Sequence, residues 1–512
     1  SMDIAAGSDR FYVIHADGTA PVDADGSSQT IGDFSLRGGY FPAGPSVAEL
    51  IPGQGWSFIA PSWDSSACYV FDTRGNLRPG WPVYATDAIW SSAAVGDLDG
   101  DGSQELVFGS NGRNIYALHA DGSEVLDGDS NPSTKGIFKV IPVGGNFGTP
   151  ALADLDGDGH PEIVYGAADG KVYAWKANGA NVPGFPVAAG AAISASVAVG
   201  YLDGPGDTSP EIVSISTNDS LYVFEANGQR RPGFPVHLVS SGNSRSPSPA
   251  LADMNNDGFL DIVAQSTNGR IYVYDRNAAL VPPWTGVPYS TLTGGASESS
   301  PVVADINGDG WNDVICGDEN SQLSALSGAN GQLLPGFPIQ LGGEVRGTPA
   351  VADIDGDGMS EIVLAGWDKN IYVWDYDFPF QPSGTPPWPQ FHHDARRTGF
   401  ASAPLTLGVG GPPAGGVRTL ELEAPAPNPA RGPTRLAFAV PATLDGLGYE
   451  LAIYDLSGRR VRLVDRGTAR AGRVSLAWDL RNEQRRPVAG GVYFERLTVG
   501  GARLTRKLVV LE

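Results

Sequence analysis

The chain has 512 residues, of which 41% are hydrophobic, and its formal net charge is −23. This length and apolar content are enough for more than one folded domain. The acidic balance disfavours nucleic acid as a partner, because phosphate backbones select basic surfaces. No stretch reaches the roughly 18 consecutive apolar residues of a membrane-spanning helix, so we expect no membrane span.

Charge and composition divide the chain into two predicted domains. Residues 418–512 hold 16 Lys and Arg against 10 Asp and Glu, whereas residues 1–417 hold 18 against 47. Residues 401–417 are rich in Gly, Pro and Ala, which is typical of a linker. We therefore predict an acidic domain over residues 1–400, a linker over 401–417 and a second domain over 418–512. The two cysteines, Cys68 and Cys316, are predicted to be buried free thiols.

The first domain repeats a unit of about 50 residues. Each unit has a short apolar strand, an acidic loop, a second strand, a tight turn, a third strand with aromatic residues, and a Pro-Gly-aromatic-Pro segment. Turns such as Asn111-Gly112 and Asn268-Gly269 are a strong hairpin signal, since both residue types tolerate positive φ. Four short antiparallel strands per repeat are typical of a β-propeller blade.

In chain order, the repeats begin inside a unit. Residues 3–18 match residues 105–122 almost column for column, so they would form a blade without its first strand. The loop of the next unit, residues 51–55, has no acids and is predicted to bind no metal. With the units that follow, we predict an all-β propeller of eight blades, in which residues 403–409 supply the missing strand and close the ring. Seven blades are the alternative.

Five units carry an acidic loop of the pattern Asp-x-Asp/Asn-Gly/Asn-Asp-Gly-x-x-Asp/Glu. Oxygen-bearing side chains stand at loop positions 1, 3, 5 and 9, and glycine at position 6 allows a sharp turn. This donor set suits Ca²⁺, which takes six to eight oxygen ligands. We predict about five calcium ions that stabilise the fold, held by Asp97, Asp99, Asp101 and Glu105; Asp154, Asp156, Asp158 and Glu162; Asp253, Asn255, Asp257 and Asp261; Asp305, Asn307, Asp309 and Asp313; and Asp353, Asp355, Asp357 and Glu361.

These repeats resemble the FG-GAP (integrin α-type) repeat family, and the resemblance extends over residues 3 to about 400. It implies a β-propeller whose loops bind calcium on one rim. It also implies that the residue at loop position 7 contributes its backbone carbonyl: Ser103, His160, Phe259, Trp311 and Met359. A damaged copy over residues 201–211 departs from the pattern, because Tyr201 replaces the first acid and two residues are inserted. Whether Asp203, Asp207 and Glu211 bind metal is therefore left open.

Three further features of the first domain have two interpretations each. The aromatic residue of the Pro-Gly-aromatic-Pro segments is predicted to pack between blades, with ligand stacking as the alternative. His15 and His119 fall in the same repeat column, which favours strand packing over a shared site. The segment around His392-His393-Asp394 is predicted to be a closing strand, in which neighbouring side chains point to opposite faces, with a metal or acid–base cluster as the alternative.

The second domain contains about seven short runs of alternating polarity in roughly ninety residues, which predicts a small immunoglobulin-like β-sandwich. Its motifs resemble the C-terminal immunoglobulin-like module of bacterial type IX secretion cargo and of the flagellar hook-capping protein. The matching segments include Pro427-Asn428-Pro429, Ile453–Arg459 and Gly491–Phe494. This resemblance implies a sorting or anchoring role, with export machinery as a partner and an extracellular or cell-surface location.

The sequence favours a binding module over an enzyme. It has no His-Glu-x-x-His, no Gly-x-Ser-x-Gly and no phosphate-binding loop. We therefore expect a secreted or surface-attached propeller that binds a glycan or protein ligand, as lectins and adhesins with FG-GAP repeats do. The alternative is a calcium-dependent polysaccharide-active enzyme similar to rhamnogalacturonan lyases, although no basic residue here can be assigned to proton abstraction.

Overall fold

The computed structural model describes residues 3–511 except 22–31, 35–39, 132, 205–206, 239–245, 268, 285–288, 291–297, 308, 356–358, 380–387, 402–419, 423–429, 432–433, 441–443, 445, 456–458, 470–471, 479 and 501. The chain divides into two compact units, Ser1–Thr406 and Leu407–Glu512. No helix long and apolar enough to cross a membrane occurs among the described residues. The predicted closing strand at 403–409, most of the predicted linker, Asn268 and residues 427–429 lie outside the described residues.

The described strands of the first unit form eight small sheets, numbered here in chain order. Sheet 1 contains β1 (Asp3–Gly7) and β2 (Phe11–His15). Sheets 2 to 7 each contain four consecutive antiparallel strands. Sheet 2 has β3 (Ser46–Ala48), β4 (Ser57–Pro61), β5 (Ala67–Asp72) and β6 (Val83–Tyr84); sheet 3 has β7 (Ala94–Gly96), β8 (Glu105–Gly109), β9 (Asn114–Leu118) and β10 (Ile137–Val140); and sheet 4 has β11 (Ala151–Ala153), β12 (Glu162–Gly166), β13 (Lys171–Trp175) and β14 (Val187–Ala188). Sheet 5 has β15 (Ala198–Gly200), β16 (Glu211–Ile215), β17 (Ser220–Phe224) and β18 (Val236–His237); sheet 6 has β19 (Ala250–Ala252), β20 (Asp261–Gln265), β21 (Arg270–Tyr274) and β22 (Tyr289–Ser290); and sheet 7 has β23 (Val302–Ala304), β24 (Asp313–Gly317), β25 (Gln322–Leu326) and β26 (Ile339–Gln340). Sheet 8 contains β27 (Ala350–Ala352), β28 (Met359–Ala365) and β29 (Ile371–Pro379), and β30 (Phe400–Ala401) pairs in parallel with β15 of sheet 5.

The second strand of each of sheets 2 to 7 is buried at every position, as in Glu162–Gly166. Such a strand has sheets on both of its faces, which explains why its sequence is a continuous apolar run without alternation. Hydrophobic clusters accordingly join neighbouring sheets: Ile59 and Val70 of sheet 2, for example, belong to the same cluster as Leu106 and Phe108 of sheet 3. Cys68 and Cys316 are both buried and free, which confirms the prediction for the thiols.

The aromatic residues of the Pro-Gly-aromatic-Pro segments pack between sheets, as predicted. Trp81 is buried, and its indole Nε1 donates to the carbonyl of Ala120 in the next repeat at 2.9 Å. The preceding glycine is needed for this approach, because a Cβ on Gly80 would lie 1.8 Å from the carbonyl oxygen of Asp121. The alternative interpretation, in which this aromatic residue stacks on a ligand, therefore has no support at Trp81.

A series of hydroxyl groups also links consecutive sheets. Immediately before the first strand of each of sheets 3 to 7, a backbone N–H donates to the Ser or Thr hydroxyl at the same position in the next sheet. We call this set the hydroxyl series: Ser92, Thr149, Ser196, Ser248, Ser300 and Thr348, with N···O distances of 2.9 to 3.2 Å. These bonds satisfy buried N–H groups that no ladder reaches, because they precede the strands.

Residues 388–401, here called the bridging segment, connect the first strands of six sheets. Its carbonyl oxygens accept hydrogen bonds of 2.7 to 2.9 Å from backbone N–H groups in the order sheet 7, 8, 2, 3, 4 and 5, the donors being Val303, Val351, Val47, Val95, Leu152 and Val199. Residues 390–396 form turns and bends, and His392, His393 and Arg397 have positive φ. The predicted closing strand around His392-His393-Asp394 is therefore wrong. A turn-rich path lets consecutive carbonyls point towards different sheets, whereas a strand would pair with only its neighbours.

The described strands of the second unit form two sheets. One contains β31 (Glu421–Leu422), β32 (Thr434–Val440) and β35 (Gly472–Trp478), and the other contains β33 (Gly448–Asp455), β34 (Arg460–Thr468), β36 (Gly491–Val499) and β37 (Ala502–Val510). Phe438 of the first sheet and Leu451 and Leu497 of the second are fully buried in one cluster. The two sheets therefore share a core, and the immunoglobulin-like character of this unit stays a prediction.

Candidate metal sites

The five predicted acidic loops each join the first strand of a sheet to its second strand, in sheets 3, 4, 6, 7 and 8. In four of them the N–H of the glycine at position 6 donates to the carboxylate at position 1, with distances of 2.8 to 3.0 Å from Gly102, Gly159, Gly258 and Gly310. These glycines have φ between 85° and 90°, which a residue with a Cβ rarely adopts. The loop therefore curls around its own first carboxylate. In the fifth loop, Asp357 lies outside the described residues.

The carboxylate at position 9 is anchored in the same way in every repeat. It begins or lies within the second strand and accepts a hydrogen bond from the backbone N–H at loop position 2. The donors are Leu98, Leu155, Met254, Ile306 and Ile354, with distances of 2.6 to 3.1 Å. One oxygen of each carboxylate is thereby fixed, and the side chain is held at the mouth of the loop.

These constraints bring carboxylates together in three of the five loops. Oxygen atoms lie within 4.8 Å of one another in the groups Asp97, Asp99 and Asp101; Asp154, Asp156 and Glu162; and Asp353, Asp355 and Glu361. In the loops at Asp253 and Asp305, position 3 is an asparagine, whose amide oxygen is a neutral donor of the same kind. Converging hard oxygen donors fit a divalent cation such as Ca²⁺ and do not fit a soft metal.

Burial makes these carboxylates difficult to ionise without a cation. Burial, with smaller contributions from neighbouring carboxylates, raises the pKa of Glu162 to about 7, of Asp313 to about 7 and of Asp261 to about 8. The pKa values of Glu105 and Asp253 are raised for the same leading reason. A bound divalent ion would remove this penalty because it favours the charged form.

Two side chains that the sequence did not predict contact the loops from the end of the third strand. The ammonium of Lys176 lies 2.6 Å from Asp156 Oδ2 and 2.8 Å from Asp158 Oδ2. The imidazole Nδ1 of His119 lies 3.1 Å from Glu105 Oε1.

His15 makes the equivalent contact, with Nδ1 2.6 Å from Asp3 Oδ1. Asp3 and His15 are cross-strand partners in sheet 1, and Glu105 and His119 pair within sheet 3, so each histidine contacts its own sheet, in agreement with the strand-packing interpretation. Their common repeat column could have shown the pairing, because Asp3 and Glu105 also share a column.

A cluster of four aromatic side chains lies at the opposite ends of the strands, and we call it the aromatic cluster. Trp90 is at its centre, with ring centroids 5.0 Å from Trp63, 6.3 Å from Tyr40 and 6.1 Å from Phe147. All four residues are half-buried. Trp63 lies in the turn between β4 and β5, and the others precede first strands, so the cluster is at the sheet ends away from the acidic loops.

The imidazole of His392 holds the bridging segment to sheet 5. Its Nδ1 lies 2.6 Å from the carbonyl oxygen of Arg397 and its Nε2 lies 3.0 Å from that of Val197. The ring nitrogens therefore contact main-chain oxygens, and among the described residues no metal-ligand cluster includes His392, His393 or Asp394.

Comparison with known proteins supports the repeat assignment. Three segments, residues 97–165, 205–264 and 305–364, match the family described as FG-GAP-like repeat. No curated protein sequence matches the chain. The crystal structure of the Vibrio cholerae biofilm matrix protein Bap1 is similar with a TM-score of 0.52 and 13% identity, covering 77% of this chain and 88% of that chain.

The structure of BamB from Moraxella catarrhalis has a TM-score of 0.45 and 16% identity, covering 74% of this chain and 92% of that one, which is too weak to support an argument. The match to Bap1 shows the fold alone. Together with the small four-stranded sheets, the matches support FG-GAP-like repeats over the three matched segments and a β-propeller-like fold.

Proposed function

We propose that this protein is a secreted or surface-attached binding module whose propeller is stabilised by about five calcium ions. The observation that carries the calcium part is the repeated placement of buried, backbone-anchored carboxylates at one end of five sheets. Each ion would tie the first strand of a sheet to the second. Ions that bind only the folded state stabilise it by an amount that grows with the logarithm of their concentration relative to the dissociation constant.

The calcium count tests this part. Protein dialysed against chelator and then titrated with Ca²⁺ by calorimetry should bind about five ions. The variant Asp154→Asn should bind one fewer, because it removes the carboxylate around which its loop curls. The exposed Asp127 provides a matched control, and Asp127→Asn should leave the count unchanged. A count of zero, or a count that Asp154→Asn does not lower, would contradict the assignment.

The ligand-binding part of the proposal rests on the aromatic cluster, and the ligand we favour is a glycan. Half-exposed aromatic rings supply flat apolar faces on which the apolar side of a sugar ring can stack. Asp64, whose Oδ1 accepts from the N–H of Tyr40 at 2.9 Å, and Asp87 are exposed beside these rings and supply acceptors for sugar hydroxyls. The acids and the net charge of −23 favour a neutral glycan over a uronate polymer.

Glycan binding is tested by comparing the wild-type protein with Trp63→Ala and with a distant control, Trp56→Ala. Trp56 is 56% exposed, lies in the loop of sheet 2 and is therefore at the other ends of the strands. Neutral polysaccharides should retard the wild-type protein and the control in affinity electrophoresis, and retardation should be lost in Trp63→Ala. Retardation only by acidic polysaccharides, or equal retardation of both variants, would contradict the assignment.

The second unit would serve as a sorting or anchoring domain, as its resemblance to secretion-cargo modules implies. Its positive balance of 16 basic against 10 acidic residues separates it chemically from the first unit. Expression in a host that has type IX export tests this role. Deletion of residues 418–512 should retain the protein inside the cell, whereas export of the truncated protein would contradict it.

A further inference from the structure

One position is structurally equivalent in sheets 2 to 7, but the residue that occupies it differs in chemical character between the sheets. It lies just before the fourth strand, and its N–H donates to a carbonyl of the third strand at 2.8 to 3.1 Å in each sheet. Where the acidic loop of the sheet is intact, this residue is apolar: Val125, Val182, Val281 and Leu334. In the two sheets whose loop departs from the pattern, it is an arginine: Arg78 in sheet 2, whose loop keeps only Glu49, and Arg231 in sheet 5, whose loop lacks the first acid.

Arg231 lies inside the damaged loop of sheet 5. Its guanidinium pairs with the carboxylate of Asp203, and its Nη1 lies 3.2 Å from Glu211 Oε1. Its Nε lies 3.8 Å from Glu225 Oε1, and the side chain is only 11% exposed. Glu211 is the loop's position 9 carboxylate, and it accepts from the N–H of Leu202 at 2.7 Å as its counterparts do. The guanidinium therefore contacts two of the three carboxylates, those of Asp203, Asp207 and Glu211, whose oxygens lie within 4.8 Å of one another and which a metal ion would share.

Arg78 occupies the corresponding loop in sheet 2, where Glu49, directly after the first strand, is the one remaining acid. Its Nη2 donates to three consecutive backbone carbonyls, those of Gln54, Gly55 and Trp56, at 3.0 to 3.1 Å. The same loop is tied at its other end by Glu49, whose Oε1 accepts from the N–H groups of Gly53 and Gly55. Three carbonyl oxygens that converge on one cationic nitrogen reproduce the arrangement of main-chain oxygens around a metal.

We propose that Arg78 and Arg231 are built-in cations that replace the metal ion in the two sheets whose loops depart from the acidic pattern. A guanidinium stays charged at all relevant pH values and offers five N–H donors, so it can satisfy converging oxygens without an ion from solution. The inference rests on the proposed function, because it assigns metal to the four loops of sheets 3, 4, 6 and 7, whose equivalent residue is apolar. It also assigns no metal to the loop over residues 201–211.

The experiment compares Arg231→Val, which installs the residue found in the intact sheets, with Arg230→Val, an exposed arginine one position away. Both are melted in chelator, where no loop carries metal. Arg231→Val should lower the unfolding midpoint by more than about 5 °C, because it leaves Glu211 buried without its partner. Adding Glu211→Gln to Arg231→Val should recover part of the loss. Equal midpoints for Arg231→Val and Arg230→Val would overturn the inference.

The calcium count provides the second measurement. Asp203→Asn should bind as many ions as the wild-type protein, and one ion fewer would show that the damaged loop binds metal despite Arg231. The reciprocal variant Val281→Arg should lose one ion from the loop at Asp253, and a folded variant with the wild-type count would count against the inference. If Val281→Arg does not fold, the Arg231→Val melt decides. The thermal unfolding of Arg231→Val is measured in chelator and does not depend on calcium. A result that contradicts the role of Arg231 can therefore be distinguished from a wild-type protein that does not bind calcium.

Discussion

The backbone N–H of Val47 donates a 2.8 Å hydrogen bond to the carbonyl oxygen of Ala395, near the other end of the first unit. Five more first strands bond to the same bridging segment. Six sheets that are distant in sequence therefore depend on one short stretch of chain, which makes residues 388–401 a structural element in their own right. Its side chains should accordingly matter for stability as much as those of the strands.

Arg397 should be the most sensitive side chain of the bridging segment. Its Nη1 donates to the carbonyl of Phe391 at 2.5 Å, and its Nε donates to the carbonyl of Pro45 at 3.3 Å. Arg397→Met should destabilise the protein by about 2 to 4 kcal/mol, because two carbonyls lose a charged donor. The measurement is a urea unfolding curve. The exposed Arg396 supplies the control, and a variant Arg397→Met as stable as Arg396→Met would contradict this role.

The hydroxyl series predicts a stability cost that depends on one oxygen atom. Thr149 is buried, and its Oγ1 accepts from the N–H of Ser92 at 3.0 Å. Thr149→Val keeps the volume but leaves that N–H unpaired, which should cost about 1 to 3 kcal/mol. Thr149→Ser keeps the hydroxyl that Ser196, Ser248 and Ser300 use, so it should cost less than Thr149→Val. If thermal unfolding ranks the two variants in the opposite order, the hydroxyl is not what links these sheets.

Lys176 should weaken calcium binding at its own loop. Its ammonium lies within 3 Å of both Asp156 and Asp158, where an incoming ion must bind. Lys176→Met removes this competing charge and should raise the affinity of the loop roughly thirtyfold, as the repulsion between a unit charge and a divalent ion about 4 Å apart in water implies. Calcium titration of the variant and of Lys171→Met, whose lysine pairs with Asp169 away from the loop, makes the comparison. If Lys176→Met binds calcium with the wild-type affinity, the ammonium of Lys176 does not compete with the ion for this loop.

The metal-free protein should lose stability as the pH rises. Burial raises the pKa values of Glu162 and Asp313 to about 7 and of Asp261 to about 8, above the values near 4 of the unfolded chain. The folded state therefore holds protons that the unfolded state releases, and this stabilisation is lost as the pH passes through 7 to 8. Protein in chelator should melt at a higher temperature at pH 5.5 than at pH 8.5.

Saturating calcium should reverse that trend, because the ion binds the deprotonated carboxylates. Melting curves at the two pH values, with calcium and with chelator, make four measurements on one sample. If the metal-free protein is more stable at pH 8.5 than at pH 5.5, the raised pKa values of these three buried side chains are contradicted.

The repeat and its loops could be predicted from the sequence because their signals are local. Acids at fixed spacing and a glycine that needs positive φ mark the loop, and apolar runs mark the strands, as Asp154 and Gly159 show. The arrangement of sheets 2 to 7 follows from these local signals. Asp357 and residues 403–409 lie outside the described residues, so the prediction of eight closed blades stays a prediction.

The bridging segment could not be predicted because its contacts are main-chain hydrogen bonds to distant strands, which no residue pattern records. The carbonyl of Trp388, for example, accepts from the N–H of Val303 in sheet 7. The proposed roles of Arg78 and Arg231 could in principle have been predicted from the sequence. Among sheets 2 to 7, alignment of the repeats on the Pro-Gly segments puts an arginine only where the preceding loop departs from the acidic pattern.

The most direct test of the account is thermal unfolding of the first unit within the whole protein, in excess calcium, in excess magnesium and in chelator. Ca²⁺ at 100 times its dissociation constant adds about 2.7 kcal/mol per site, so five sites should raise the midpoint by well over about 10 °C relative to chelator. Magnesium should restore less, since it demands a tighter octahedral site. Identical midpoints in calcium and in chelator would contradict the claim that divalent cations hold these sheets together.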